Sequence, residues 1–165
     1  MGGKVIRPAT GYLGPNGMIR GRPPVRGVPT DVLSYVYLWA HEADAGRDEG
    51  SKERPVVVVL STQSVGARTR VIVAPVTTKA PQPGDATIEM PGAVQRQLGL
   101  GDDRCWIIAS ETNSFLWPGP DLRPVRREGD GSPYYGKMPG NLVRQVRELF
   151  RQIGAAKLRV TPRSE

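Results

Sequence analysis

Arg54 heads a run of four valines in SKERPVVVVL, with Pro55 between the guanidinium and the first of them. Thr77 and Thr78 close a second apolar run, RVIVAPVTT, and Glu111 follows a third, CWIIAS. Glu49 stands five residues before Arg54. In a small, strongly bent sheet, polar groups at strand ends of this kind converge on one surface. A guanidinium, a hydroxyl and a carboxylate placed together suit cleavage of RNA by its own 2′-hydroxyl. That reaction needs a base for the 2′-hydroxyl proton, a cation or hydrogen-bond donors for the dianionic phosphorane, and a proton source for the 5′-oxygen. Arginine holds a phosphate with a bidentate fork, threonine adds a hydroxyl donor, and a carboxylate takes the proton, so neither a metal nor another cofactor is required. The same residues also read blandly, as a solvated arginine guarding a strand entrance and threonines with ordinary β-propensity. Residue types alone leave both readings open.

Other chemistries lack their residues. The chain contains no phosphate-binding glycine-rich loop, no HExxH, no paired cysteines and no Gly-x-Ser-x-Gly elbow. His41 is the single histidine, which excludes a two-histidine ribonuclease mechanism but leaves His41 open as a general base. A single cysteine, Cys105, lies in an apolar run and is expected as a small buried hydrophobe in a reducing compartment. No apolar stretch approaches the roughly 18 residues of a membrane span, and the N-terminus lacks the order of a secretory signal. A cytoplasmic protein without a membrane partner is expected.

The net charge of +7 is unevenly spread. Residues 1–30 carry five bases and no acid, 31–120 eight bases against eleven acids, and 121–165 ten bases against five acids. A polyanionic partner and simple solubility are both physical reasons for basic ends.

The candidate residues need elements to hold them. Residues 1–30, with seven glycines and five prolines, show no periodicity and are expected as a flexible basic arm. A first strand is expected in VLSYVYLW (32–39), an exposed loop over 41–52, a second strand over 54–60, a third over 70–77, a short alternating strand over 86–90, one or two helical turns in GAVQRQLGL stopped by Gly99, and a fifth strand over 105–110. The proline-rich FLWPGPDLRPV supplies at most a short edge strand. Leu142, Val146, Leu149, Phe150 and Ile153 form the stripe of an amphipathic helix from about Gly140 to Lys157, with Arg144, Arg147 and Arg151 on its other face. The expected architecture is α+β: a small antiparallel β-barrel of strongly bent, SH3-like type with the C-terminal helix packed across it. The domain is expected over 31–158, with 159–165 as a tail. Trp39, Trp106 and Trp117 are candidate base-stacking platforms, of which Trp106 reads most simply as core.

The stretch GRDEGSKERPVVVVLS, followed about a dozen residues later by VIVAPVTT, resembles the MazF/PemK toxin family, ribosome-independent endoribonucleases of type II toxin–antitoxin systems. The resemblance covers roughly residues 32–157. It implies Arg54 and Thr77 as the catalytic arginine and threonine, with Glu111 in a place where many members carry aspartate. It further implies Glu49, Lys52, Thr78 and Lys79 as RNA-binding residues. The implied reaction is metal-free cleavage of single-stranded RNA to a 2′,3′-cyclic phosphate and a 5′-hydroxyl, by a homodimer that a cognate antitoxin inhibits. Alternatives are a catalytically inactive RNA- or protein-binding barrel, or a toxin of the same fold acting on another target. Members commonly open strand one with Gly-Asp and continue past the fifth strand with Asp-Gln; TDVLSYVYLW and ETNSFLWPGPDLRP depart from both, so cleavage sequence does not transfer.

Overall fold

The computed structural model describes residues 12–14, 17–19, 31–63, 68–125, 131–154 and 157–163. Tyr12–Gly14 (β1) and Gly17–Ile19 (β2) pair antiparallel in a ladder of their own; the rest of the expected arm lies outside the described residues. Asp31–Val36 (β3), Glu53–Gln63 (β4) and Thr69–Thr77 (β5) pair in succession, antiparallel, where their β-branched and aromatic residues predict strands. Thr87–Glu89 (β6) pairs with Trp106–Ile108 (β7), which in turn joins the end of β5. Glu111–Leu116 (β8), Tyr134–Lys137 (β9) and Arg159–Pro162 (β10) complete a sheet ordered β10-β8-β5-β4-β3-β9. Among the described residues three helices accompany it: Ala40–Asp44 (α1), Gly92–Leu98 (α2) and Gly140–Ile153 (α3).

The fold is thus mainly antiparallel β with a few helices, of the α+β class. Among the described residues the sheet does not close: β10 and β9 end it without pairing to each other. The expected mainly antiparallel α+β fold is present, as an open sheet among these residues. Only β10 runs parallel to its neighbour, β8.

Both faces of the central strands are buried, and this explains the unbroken valine run. Strand side chains alternate between faces. Val32, Val57, Ala74 and Val76 point into a core with Met90, Leu98, Leu142 and Val146 from the helical side. Their neighbours Leu33, Tyr35, Val56, Val58, Val71 and Val73 pack on the opposite face with Phe115, Trp117 and Leu122. Full burial of Val56, Val57 and Val58 contributes roughly 1.5 to 3 kcal/mol each, so β4 is anchored from above and below.

Several expectations change. The segment from Phe115 was expected to give at most a short edge strand, yet Phe115 and Leu116 complete β8, an interior strand between β5 and β10. The prolines fall after Leu116, at 118 and 120, and leave the strand itself intact. Glu111 consequently opens a strand instead of standing at the exit of one. The expected tail 159–165 contributes β10, and Arg163 just beyond it is buried. α3 stops at Ile153 rather than Lys157, because Gly154 takes φ 73° and breaks the helical path. α2 ends as expected, at a left-handed Gly99. The loop 41–52 holds α1, a single short helix whose composition is too polar to show periodicity. Among the described residues, no helix is long and apolar enough to cross a membrane.

Candidate functional site

Strand register brings the first two candidates together. Val56 pairs with Pro75 and Val57 with Ala74; the same register continued two residues outward sets Arg54 abreast of Thr77. Arg54 also pairs with Tyr35 on its other side, and Thr77 with Trp106. A row of four strands therefore crosses the end of the sheet at this level.

A cavity of about 500 Å³ opens there, lined by Arg54, Thr77, Thr78, Lys52, Lys79 and Glu111. Six of the seven expected site residues thus share one concavity. The seventh does not. Glu49 lines a neighbouring cleft of about 580 Å³ with Glu53, Asp121 and Arg123, and Ser51 and Lys52 form the ridge common to both. The expected placement of Glu49 beside Arg54 is corrected, because Glu49 sits in the loop before β4, which carries it to the far side of that ridge.

Arg54 is half-buried, and its guanidinium carbon lies 5.0 Å from the centroid of the Trp39 ring. Its Nε is buried and has no hydrogen-bond partner. Burial lowers the pKa of the guanidinium, while Glu42 and Tyr37 act the other way; an arginine in this balance keeps its charge at neutral pH. A partly desolvated guanidinium that lines a cavity attracts an anion more strongly than one in open water, because the local dielectric is lower.

Glu111 is oriented by two donors. Its Oε1 accepts from the Tyr37 hydroxyl at 3.0 Å and from the Ala40 backbone N–H at 2.9 Å. Tyr37 is buried and its ionisation is pushed well above the ordinary phenol range, first by desolvation and then by Glu111, so it serves as a neutral donor. Thr77 Oγ1 accepts the Lys79 backbone N–H at 3.1 Å, which tightens the turn leaving β5 and leaves the hydroxyl proton free to donate elsewhere.

The far wall is built by residues that the sequence did not single out. Glu42, buried on α1, accepts from the Trp39 backbone N–H at 3.0 Å, from Arg47 at 2.9 Å and from the Ser51 hydroxyl at 3.1 Å. It ties the loop leading into β4 back onto α1. The only available signal was its position three residues after Trp39, the spacing at which a glutamate satisfies the first N–H groups of a helix. Asn113 clamps the chain entering α1: its Nδ2 donates to the Leu38 carbonyl at 2.8 Å and its Oδ1 accepts the Leu38 N–H at 2.9 Å. Gly50 allows close approach, as a Cβ there would lie 2.0 Å from the Tyr37 carbonyl oxygen.

Of the three tryptophans, Trp39 alone lines the cavity; Trp106 and Trp117 are buried. Arg144, Arg147 and Arg151 are exposed on α3, and Arg151 pairs with Glu148 at 2.7 Å. His41, exposed on α1, also lines the cavity, with its ring 6.5 Å from that of Trp39 and inclined by 23°. Among the described residues no cluster of three His, Cys, Asp or Glu could hold a metal ion. No family model, curated protein or solved structure matches this chain.

Proposed function

We propose that the chain is a metal-independent endoribonuclease of the MazF/PemK type, the toxin of a type II toxin–antitoxin pair, cleaving single-stranded RNA to a 2′,3′-cyclic phosphate and a 5′-hydroxyl. The observation that carries this reading is the half-buried Arg54 guanidinium lining the same cavity as Thr77 and Glu111. Arg54 takes the non-bridging oxygens of the scissile phosphate and stabilises the charge that grows on the phosphorane. The Thr77 hydroxyl adds a donor to the same oxygens. Glu111, held by Tyr37 and Ala40, receives the 2′-hydroxyl proton. Lys52, Thr78 and Lys79 along the rim suit the flanking phosphates and sugars. The finer fold description, an SH3-like barrel, the homodimer, the cognate antitoxin and the cytoplasmic location belong to the same proposal.

The test is direct. Purified protein is incubated with a long single-stranded RNA in EDTA, the new 5′ ends are mapped and their chemistry identified, and Arg54→Ala is run beside it. Defined cuts bearing 5′-hydroxyls, lost in the variant, support the reading. Cuts that persist in Arg54→Ala remove Arg54 from the mechanism, and cuts abolished by EDTA overturn the metal-free route. Binding without cleavage would favour the inactive RNA-binding alternative.

A further inference from the structure

The ribonuclease reading leaves one proton unassigned. Breaking the P–O5′ bond releases an alkoxide, which needs an acid. Arginine and lysine hold their protons too tightly for efficient transfer near neutral pH, and carboxylates there have already lost theirs. Imidazole is the side chain whose ordinary titration falls in the working range. The chain's single histidine stands on the wall of the candidate cavity.

We propose that His41 is the general acid of this site, a role that rests on the ribonuclease reading and extends it. Two contacts place it. Trp39 carries the Arg54 guanidinium at 5.0 Å from its ring centroid and the His41 ring at 6.5 Å, so one indole touches both the phosphate-binding cation and the imidazole. The charged side chains that line the cavity with His41 are Glu42 from its own helix, Glu111 from β8, Lys52 and Arg54 from β4 and its approach, and Lys79 and Asp85 from the loop after β5, and Asp44 of the same helix interacts with it electrostatically.

The step balances as follows. The 2′-oxygen attacks phosphorus as its proton passes to the Glu111 carboxylate, the P–O5′ bond breaks, and the His41 imidazolium delivers a proton to the departing 5′-oxygen. The products are a 2′,3′-cyclic phosphate and a 5′-hydroxyl; Glu111 is left protonated and His41 neutral, and exchange with water restores both.

The experiment uses the whole chain and an RNA oligonucleotide carrying a mapped cut site, made with either oxygen or sulfur at the 5′ bridging position. Sulfur leaves without protonation, so it isolates the acid. Wild-type protein should cleave the oxygen substrate more slowly as pH rises through the alkaline side of its profile, because the acid must be protonated. In His41→Gln that limb should vanish and cleavage should fall by about 10²-fold or more, while the sulfur substrate is cut at close to the wild-type rate. Because His41 is exposed, the variant should melt with the wild type. Equal slowing on both substrates, or no slowing at all, overturns the acid role while leaving the ribonuclease reading standing. Failure of the wild type to cut either substrate overturns the ribonuclease reading itself.

Discussion

Arg54 rests with its guanidinium carbon 5.0 Å from the Trp39 ring centroid while its Nε has no partner. The indole supports the cation without using up its directional donors. Trp39→Leu should therefore leave the sheet intact and weaken RNA binding, by about 1 to 3 kcal/mol where a base stacks on the indole. A non-cleavable RNA with a 2′-deoxy sugar at the cut site, titrated by fluorescence anisotropy, reads the loss; unchanged affinity would take Trp39 out of the interface.

Asn113 satisfies both backbone groups of Leu38 from a position inside the fold. Asn113→Leu strands a buried donor and a buried acceptor, at about 1 to 3 kcal/mol for each. Urea unfolding should show a lower midpoint with little change in slope. A midpoint equal to wild type would mean that water reaches Leu38.

Gly50 approaches the Tyr37 carbonyl too closely for any side chain. Gly50→Ala should push the loop before β4 away from α1, loosening the Ser51 contact with Glu42. Increased proteolysis at 46–52, with secondary structure retained by circular dichroism, is the expected result.

How much of this was legible in advance differs by residue. β3, β4 and β5 announced themselves because burial on both faces demands unbroken β-branched runs, and α2 and α3 because glycine and the apolar stripe mark their ends and faces. β8 was obscured. Its ETNSFL opens with four consecutive polar residues whose partners lie elsewhere in the fold, Asn113 accepting the Leu38 N–H and Ser114 accepting from Arg70 at 2.9 Å, so the burial of this half is hydrogen-bonded rather than apolar. β10 was obscured for a similar reason, since a four-residue strand carrying two basic flanks has no period to show. Arg54, Thr77 and Glu111 were found because they sit where apolar runs stop. Glu42 and Tyr37 were not, because their roles are to hold other residues, and such roles depend on loop geometry that composition does not encode.

Arg163 and Asp121 form an ion pair at 3.0 Å with both side chains nearly sealed, 3% and 10% exposed, and Arg163 also donates to the Asp48 carbonyl at 2.6 Å. Removing one partner leaves an uncompensated charge, so Arg163→Met should cost about 3 to 5 kcal/mol. Adding Asp121→Leu should restore much of it. A double-mutant cycle by chemical denaturation measures the coupling, and additive losses would contradict the pairing.

Cys105 is buried, and desolvation, followed by the nearby Glu89, raises the pKa of its thiol and so suppresses the thiolate. The nucleophilic form is the thiolate. Iodoacetamide at neutral pH should leave the folded protein unmodified and label it completely in denaturant, as followed by intact mass; rapid labelling of the folded form would place the thiol at the surface.

Glu111 reaches Tyr37 and the Ala40 N–H across sequence separations of 74 and 71 residues. Contacts this distant in the chain form late during folding, after the entropy of closing large loops has been overcome. The Glu111 carboxylate is therefore oriented only when the fold is complete. Whatever this cavity does should switch on together with the last cooperative step of folding, so that refolding followed by tryptophan emission and refolding followed by catalytic turnover would trace a single time course.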